Sequence, residues 1–180
     1  IAARNEAKTT EAVHDIQKEF STRVLGLKID VRQEEQPRIL AAKTLEAFGR
    51  IDILVNNAGI NIRKLPQDYT AAEWDEVLET NLRSAFLCSQ AVYPTMKTAG
   101  GGKIINIGSM TSLFGGAKLA PYGASKGAVV QLTRSLAVAW APDNIQVNAI
   151  LPGWITTNLT RQAQIDMPGL KERVVARTPV

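Results

Sequence analysis

Residues 103–140 read KIINIGSMTSLFGGAKLAPYGASKGAVVQLTRSLAVAW, and this stretch decides the fold. Lys103–Ile107 is a short, β-rich apolar run of the kind that forms a buried strand. From Ala124 to Trp140 the pattern turns helical, with Val129, Leu132, Leu136 and Trp140 on one stripe. The loop between them holds several glycines, a proline and a serine at its mouth, Ser109. Tyr122 and Lys126 stand four apart at the helix start, so both side chains leave from one face. A hydroxyl, a phenol and an ammonium therefore converge at the carboxyl end of a strand, where open α/β sheets bind ligands.

A tyrosine followed four residues later by a lysine is a weak signal alone. The chain holds a second such pair, Tyr93 and Lys97, with Thr80 as far before Tyr93 as Ser109 is before Tyr122. Geometry separates the two. Thr80 and Tyr93 fall in one helical pattern, which at about 1.5 Å per residue sets them roughly 20 Å apart. The loop from Ser109 to Tyr122 is glycine-rich and can double back. Taken singly, Tyr122 and Lys126 also suit a solvated helix start, and Ser109 a turn or a cap.

Outward from this centre, strands and helices alternate. Residues 6–20 form a helix with Val13, Ile16 and Phe20 on one face, and 23–30 a strand. Residues 34–48 form a helix with Ile39, Leu45 and Phe48 as core candidates, closed by Gly49. Ile51–Val55 is a strand that runs into Asn56-Asn57-Ala58-Gly59. A long helical pattern covers 72–97, with Trp74, Val77, Leu78, Leu82, Phe86 and Val92. Ile145–Leu151 is the next strand and runs into Pro152-Gly153; residues 160–177 are polar and weakly helical, broken by Pro168-Gly169. The opening IAARN reads as the end of a strand, and the closing RTPV as the middle of a connection. The expected fold is α/β: a doubly wound parallel sheet between two helical layers, a three-layer αβα arrangement incomplete at both ends. It forms one partial domain over 1–180, with a lid-like segment at 154–177. Four strand ends carry small or polar residues: Asp30-Val31, Asn56–Gly59, Ser109 and Pro152-Gly153. One extended ligand lying across the top of the sheet accounts for all four.

The composition, 45% hydrophobic and 21% charged over 180 residues, is that of a globular domain with a sizeable core. A single cysteine, Cys88, cannot form an internal disulfide and reads as a small buried hydrophobe in a reducing compartment. No apolar run approaches the length of a membrane span and no signal-peptide pattern opens the chain, so the expected location is cytoplasmic. The net charge is +4, but the positive residues are scattered, which argues against nucleic acid and suits an anionic small ligand. No cluster with metal-ligand spacing is visible. The one histidine, His14, has polar neighbours and reads as solvated.

Asn56-Asn57-Ala58-Gly59, Asn81 in ETNL, Ser109, YGASK at 122–126 and NAILPGWITT at 148–157 occur in one order. Together they make the chain resemble the short-chain dehydrogenase/reductase family over nearly its whole length. Within it the chain is similar to the classical branch of sugar-alcohol, glucose and gluconate dehydrogenases and 3-oxoacyl-carrier-protein reductases. The family's Rossmann-like fold opens with a strand and a glycine-rich turn that receives the cofactor pyrophosphate at a helix N-terminus. These 180 residues lack that turn and its helix, and the family's final strands as well. The resemblance therefore implies a sheet without one central strand and poor dinucleotide binding by this stretch alone.

The resemblance also implies hydride transfer between a nicotinamide cofactor and a secondary alcohol or ketone of sugar, sugar-acid or 3-oxoacyl type. It assigns a catalytic tetrad of Asn81, Ser109, Tyr122 and Lys126. Tyr122 is the acid/base. A free phenol titrates near ~10, too high for a base at neutral pH. An ammonium about 4 Å away stabilises a phenolate by roughly 4 kcal/mol at an effective dielectric of ~20, before desolvation. Lys126 supplies that charge and bonds the nicotinamide ribose. Ser109 donates to the substrate oxygen. Asn81 interrupts the long helix and holds a water beside Lys126; on its own it also suits a helix residue with a solvated amide.

For the cofactor, the resemblance implies that Asp30 and Val31 flank the adenine and that Asn57, Ala58 and Gly59 lie where backbone must approach closely. By the same resemblance, Pro152, Gly153 and Ile155 are expected to cover the nicotinamide, with Thr157 near its carboxamide. Arg4 stands where NAD enzymes place an acid and NADP enzymes an arginine. With no acid before Glu6, NADP is favoured and NAD is the alternative. Substrate contacts fall to Ser109, Met110 and Trp154, in loops 61–63, 110–114 and 154–161. Trp154 and Phe114 suit a pocket wall there and Arg63 or Arg161 an anionic group, with ordinary loop packing and surface charge as the alternatives for these residues. The partners expected are a small carbonyl or alcohol substrate and further copies of the chain, through helices 72–97 and 122–141, in a homodimer or homotetramer. Phe86, Val92 and Leu136 have that surface as an alternative to the core. Two other readings remain: a catalytically silent fragment or scaffold, and a sugar-nucleotide epimerase or dehydratase on the same fold.

Overall fold

The computed structural model describes residues 1–176. The chain starts in a short strand, β1 (Ala2–Ala3), after which the Asn5 side chain accepts from the Lys8 amide and caps α1 (Glu6–Phe20). β2 (Leu27–Lys28) pairs parallel with β1. Residues 23–30, expected as one strand, hold only this two-residue ladder, because a strand extends no further than the partner it bonds to. α2 (Gln36–Phe48) begins with Pro37 in its first turn and ends at Gly49, whose φ of 78° closes the helix.

β3 (Ile53–Asn56), β4 (Gly102–Ile107) and β5 (Ile145–Ile150) form a second parallel sheet in sequence order. Leu54 lies beside Ile104 and Ile104 beside Val147, while Asn56 lies beside Asn106. Between β3 and β4 run α3 (Ala71–Leu78), capped by a reciprocal Thr70–Glu73 pair, and α4 (Ser84–Thr98). α5 (Ala120–Trp140) connects β4 to β5. Strand alternation turns Leu54, Ile104 and Val147 to the same side as α4 and α5. There Ile104, Ile145 and Val147 pack with Ile51, Val92, Met96, Leu136 and Ala41 into one core cluster. Val92 and Leu136 thus belong to the core of the chain, whereas Phe86 is exposed. On the opposite face Ile53 and Val55 are 58% and 52% exposed.

Several residues expected in the core lie outside it. Ile39, Leu45 and Phe48 are exposed, because α2 docks on α4 through the face that carries Pro37 and Ala41. Phe48 instead carries the Arg23 guanidinium over its ring at 5.1 Å. Phe20 is exposed because α1 packs on β1 and β2, whose two-residue strands offer too little surface for its whole stripe.

Among the described residues β1 bonds only to β2 and β3 only to β4, so each of them presents an open edge. Residues of both edges, Ala2 and Ala3 from one and Ile53–Asn56 from the other, line a single cavity of about 560 Å³. Beyond β5, α6 (Asn158–Asp166) and α7 (Leu170–Val175) are separated by Gly169 at φ 76°, as the Pro168-Gly169 break predicts. Arg177, the last residue of the lid-like segment, lies outside the described residues. No helix among the described residues is long and apolar enough to cross a membrane. Cys88 is buried, and burial pushes its thiol up to about 11; the His14 side chain is exposed beside Asp15.

Candidate active site

The site is assembled where β4 ends. Ser109 caps a 3₁₀ turn, Met110–Ser112: its Oγ accepts from the Thr111 amide at 3.2 Å, and its own amide donates to Ser112 Oγ at 3.3 Å. The turn lies on the first turns of α5. A Cβ on Gly123, the neighbour of Tyr122, would sit 3.7 Å from the Thr111 carbonyl oxygen. α5 starts with Pro121 in its first turn, and Tyr122 and Lys126 leave on successive turns of the same face.

Lys126 is 5% exposed. Its ammonium donates to the Ile107 carbonyl oxygen at 2.6 Å and lies 5.8 Å from the centre of the Tyr122 ring. Burial pulls its titration down to about 8. The expected decoy has a different use. Tyr93 stacks on Trp140 at 4.8 Å and donates to Asp143 at 2.7 Å, and Lys97 pairs with the same carboxylate. This second tyrosine–lysine pair fastens α4 to the turn after α5, far along the helix from Thr80.

Asn81 lies in a π-helical turn, Glu79–Arg83, between α3 and α4, so the long helical pattern is interrupted at this residue. Its side chain is fully engaged: Oδ1 accepts from the Ile60 amide, and Nδ2 donates to the Ile60 carbonyl and to Ser125 Oγ. Ser125 in turn donates to the Tyr122 carbonyl at 2.7 Å. Asn81 thereby ties the chain after Gly59 to α5. A Cβ on Gly59 would stand 3.4 Å from Asn81 Oδ1 and 3.5 Å from Lys126 Nζ, so backbone passes next to both groups.

Arg4, Asp30, Val31, Asn57, Ala58 and Gly59 line the large cavity together. Asp30 is held by Arg32, whose Nη2 lies 2.6 Å from Oδ2, and this pairing keeps the carboxyl below its ordinary range, with the Arg4 charge adding to it. Pro152, Gly153, Ile155 and Thr157 do not line that cavity. Pro152 and Gly153 sit beside the serine turn: the Met110 amide donates to the Pro152 carbonyl at 3.1 Å. Thr157 caps α6, and Trp154 and Ile155 line a separate cleft of about 200 Å³ with Leu170 and Lys171.

The sequence reading missed several polar groups. Thr80, buried, lines the large cavity with a hydroxyl that has no hydrogen-bond partner among the described residues. Asn56 Nδ2 donates to Asn106 Oδ1 at 2.8 Å and to Ser89, and Asn106 donates to Thr133 at 2.9 Å. These bonds knit β3, β4, α4 and α5 beneath the site. The signal for that network was present: an asparagine in each of two apolar strand runs. No group of three or more potential metal ligands occurs among the described residues.

A family model described as short chain dehydrogenase matches residues 1–168. The 2-dehydro-3-deoxy-D-gluconate 5-dehydrogenase of Dickeya dadantii is 44% identical over 158 residues, 87% of this chain and 62% of that protein. An NAD-dependent glycerol dehydrogenase of Listeria innocua is 38% identical over 154 residues, 85% of this chain and 61% of that protein. The chain thus spans about three fifths of these relatives. The crystal structure of a gluconate 5-dehydrogenase from Burkholderia cenocepacia, in complex with NADP and tartrate, superposes with a TM-score of 0.92 at 36% identity. That superposition covers 99% of this chain and 69% of the other, and the doubly wound, Rossmann-like arrangement is common to both.

Proposed function

This chain belongs to the short-chain dehydrogenase family, and from that premise we propose that the protein is an oxidoreductase for a secondary alcohol or ketone. The observation that carries the reading is the Tyr122–Lys126 pair, with its buried ammonium anchored to the end of β4 and the Ser109 turn docked on the same helix.

The carboxyl-end mouth of the large cavity, where Arg4, Asp30, Val31 and Asn57–Gly59 come together, suits the adenosine side of a dinucleotide, with small residues at Ala58 and Gly59 and the Arg4 cation in its wall. The rest of the cavity, between the open edges of β1 and β3, is lined by apolar residues such as Ala41, Ile51 and Val92 and is not assigned to the cofactor. Arg4, Asp30, Val31 and Asn57–Gly59 would hold the adenosine side, and Pro152, Gly153, Ile155 and Thr157 the nicotinamide side. When bound, the nicotinamide supplies or accepts the hydride. The chain's own residues manage the proton. Tyr122 Oη gives it to the developing alkoxide, or takes it in the reverse direction. The Lys126 ammonium lies 5.8 Å from the centre of the Tyr122 ring, on the same face of α5. Ser109 Oγ donates to the substrate oxygen as its charge grows. Asn81 holds the loop after Gly59 against α5 through its side-chain bonds to Ile60 and Ser125.

A sugar acid of the gluconate type is the proposed substrate class. The resemblance to sugar-acid dehydrogenases and the net charge of +4 both support it. Met110 and Trp154 would border the substrate, under a lid formed by residues 154–177. Arg4 makes NADP the preferred cofactor. A cytoplasmic homodimer or homotetramer is the proposed setting, with α4 and α5 at the interface.

The test is a screen of cofactor oxidation over ketose, keto-acid and 3-oxoacyl substrates with the full-length protein and Tyr122→Phe. The variant should lose about 10²–10⁴ in kcat while its cofactor affinity stays unchanged. Near wild-type turnover by Tyr122→Phe would remove the proton donor from the scheme.

A further inference from the structure

We propose that Ser112, outside the tetrad, is the positioning residue that sets where Ser109 stands relative to Tyr122 and Lys126; this rests on the oxidoreductase reading above. Ser112 Oγ donates to the Lys126 carbonyl oxygen at 2.8 Å and accepts from the Ser109 amide at 3.3 Å. A hydroxyl has one proton. With that proton directed at Lys126, the direction of the chain is fixed: Ser109 amide to Ser112 hydroxyl to Lys126 carbonyl. The Lys126 ammonium meanwhile reaches back to the Ile107 carbonyl at 2.6 Å. The end of β4 is therefore tied to one residue of α5 twice, once through its side chain and once through its backbone. Ser112 supplies the whole of the second tie.

The same turn sets the polarity of the Ser109 hydroxyl. The Thr111 amide donates to Ser109 Oγ at 3.2 Å, so that bond uses a lone pair and leaves the proton for the substrate oxygen. The turn also rests on small residues of α5, since Cβ atoms on Gly123 and Gly127 would lie 3.7 and 3.8 Å from the carbonyl oxygens of Thr111 and Ser112. Without the Ser112 hydroxyl, the Ser109 amide loses its partner. The strand end is then held to α5 by the lysine ammonium, the group that the chemistry itself needs. A displacement of about 1 Å in a positioned group costs on the order of 100-fold in rate.

The experiment is a double-mutant cycle on kcat/KM in the full-length enzyme: wild type, Ser112→Ala, Ser109→Ala and the double variant, with Ser112→Thr as the conservative rescue. Cofactor Kd is followed by nicotinamide fluorescence and folding by circular dichroism. Ser112→Ala should lower kcat/KM by about 10- to 100-fold with cofactor Kd within about twofold. Ser112→Thr should recover most of the loss. In the Ser109→Ala background the further loss should shrink to about twofold or less, because the group being positioned is gone. If Ser112→Ala does not fold, Ser112→Cys, which keeps the volume and weakens both bonds, takes its place in the cycle. A loss of full size that persists without Ser109 overturns the inference, as does a Ser112→Ala enzyme that keeps pace with wild type. A wild type that oxidises no cofactor with any substrate overturns the functional reading instead.

Discussion

Lys126→Met is expected to change how stability depends on pH while it abolishes turnover. Lys126 is 5% exposed, and burial brings its titration from 10.5 to about 8. Between those values the unfolded chain holds more protons at this residue than the folded one, so stability rises with pH there. The penalty for keeping the charge out of water is complete below pH 8 and is relieved as pH climbs from 8 towards 10.5. At 1.36 kcal/mol per pH unit the penalty is about 3 kcal/mol. Opposing it is the bond to the Ile107 carbonyl, which methionine cannot make; a bond from a charged donor is worth about 1.5–3 kcal/mol. At pH 7 the two nearly cancel, and the methionine variant should be about 1 kcal/mol more stable. The change in the difference between the two proteins is the sharper quantity, because other titrating groups are common to both. From pH 7 to 10 wild type should gain about 2–3 kcal/mol on Lys126→Met. Urea titrations of the full-length apoenzymes at several pH values measure this directly. A difference that stays flat across the window would show that Lys126 is not charged and buried as described.

Arg4→Ala should raise the KM for NADP by about tenfold and leave that for NAD nearly unchanged, read by steady-state kinetics with both cofactors; equal effects on the two would deny Arg4 a role at the 2′-phosphate. Asn106→Ala should cost about 2–4 kcal/mol in urea unfolding, since it removes a fully buried amide bonded to Asn56 and Thr133 at once. An unchanged midpoint would mean that the network beneath the site contributes nothing net.

The centre of the proposed site could be picked out from the sequence because two rigid relations define it. Tyr122 and Lys126 are four apart on a helix, and Ser109 ends a strand that a glycine-rich loop joins to that helix. Neither relation depends on tertiary detail, so both are present in the spacing alone. The decoy at Tyr93 and Lys97 shows the limit: its spacing is identical, and only the path of the chain tells a site from a fastening. Residues 23–30 and the apolar stripe of α2 failed for a different reason. Pattern says that a segment can pair or be buried, and the partner decides how much of it is. With a two-residue β1 to pair with, β2 stops at two residues, and with α4 against Pro37 and Ala41, Ile39 and Leu45 remain outside.

The residues that sequence did not single out share a physical character. Ser112, Ser125, Asn106 and Thr133 are small and polar, like the motif residue Asn56 to which Asn106 bonds, and each acts by closing hydrogen bonds between elements distant in the chain. Such bonds have no periodicity and no fixed separation: Asn56 and Asn106 are neighbours only because parallel pairing places two strand ends side by side. Their energetic role follows from Lys126. A site that keeps a lysine buried is under a standing penalty, and its donors work only if they hold position without water to help them. A layer of fully bonded small side chains gives that rigidity with little rotamer entropy to lose, which long polar side chains in the same places would forfeit. The groups proposed to do the chemistry are therefore found by type and spacing. The groups that hold them still emerge when each buried donor is traced to its acceptor.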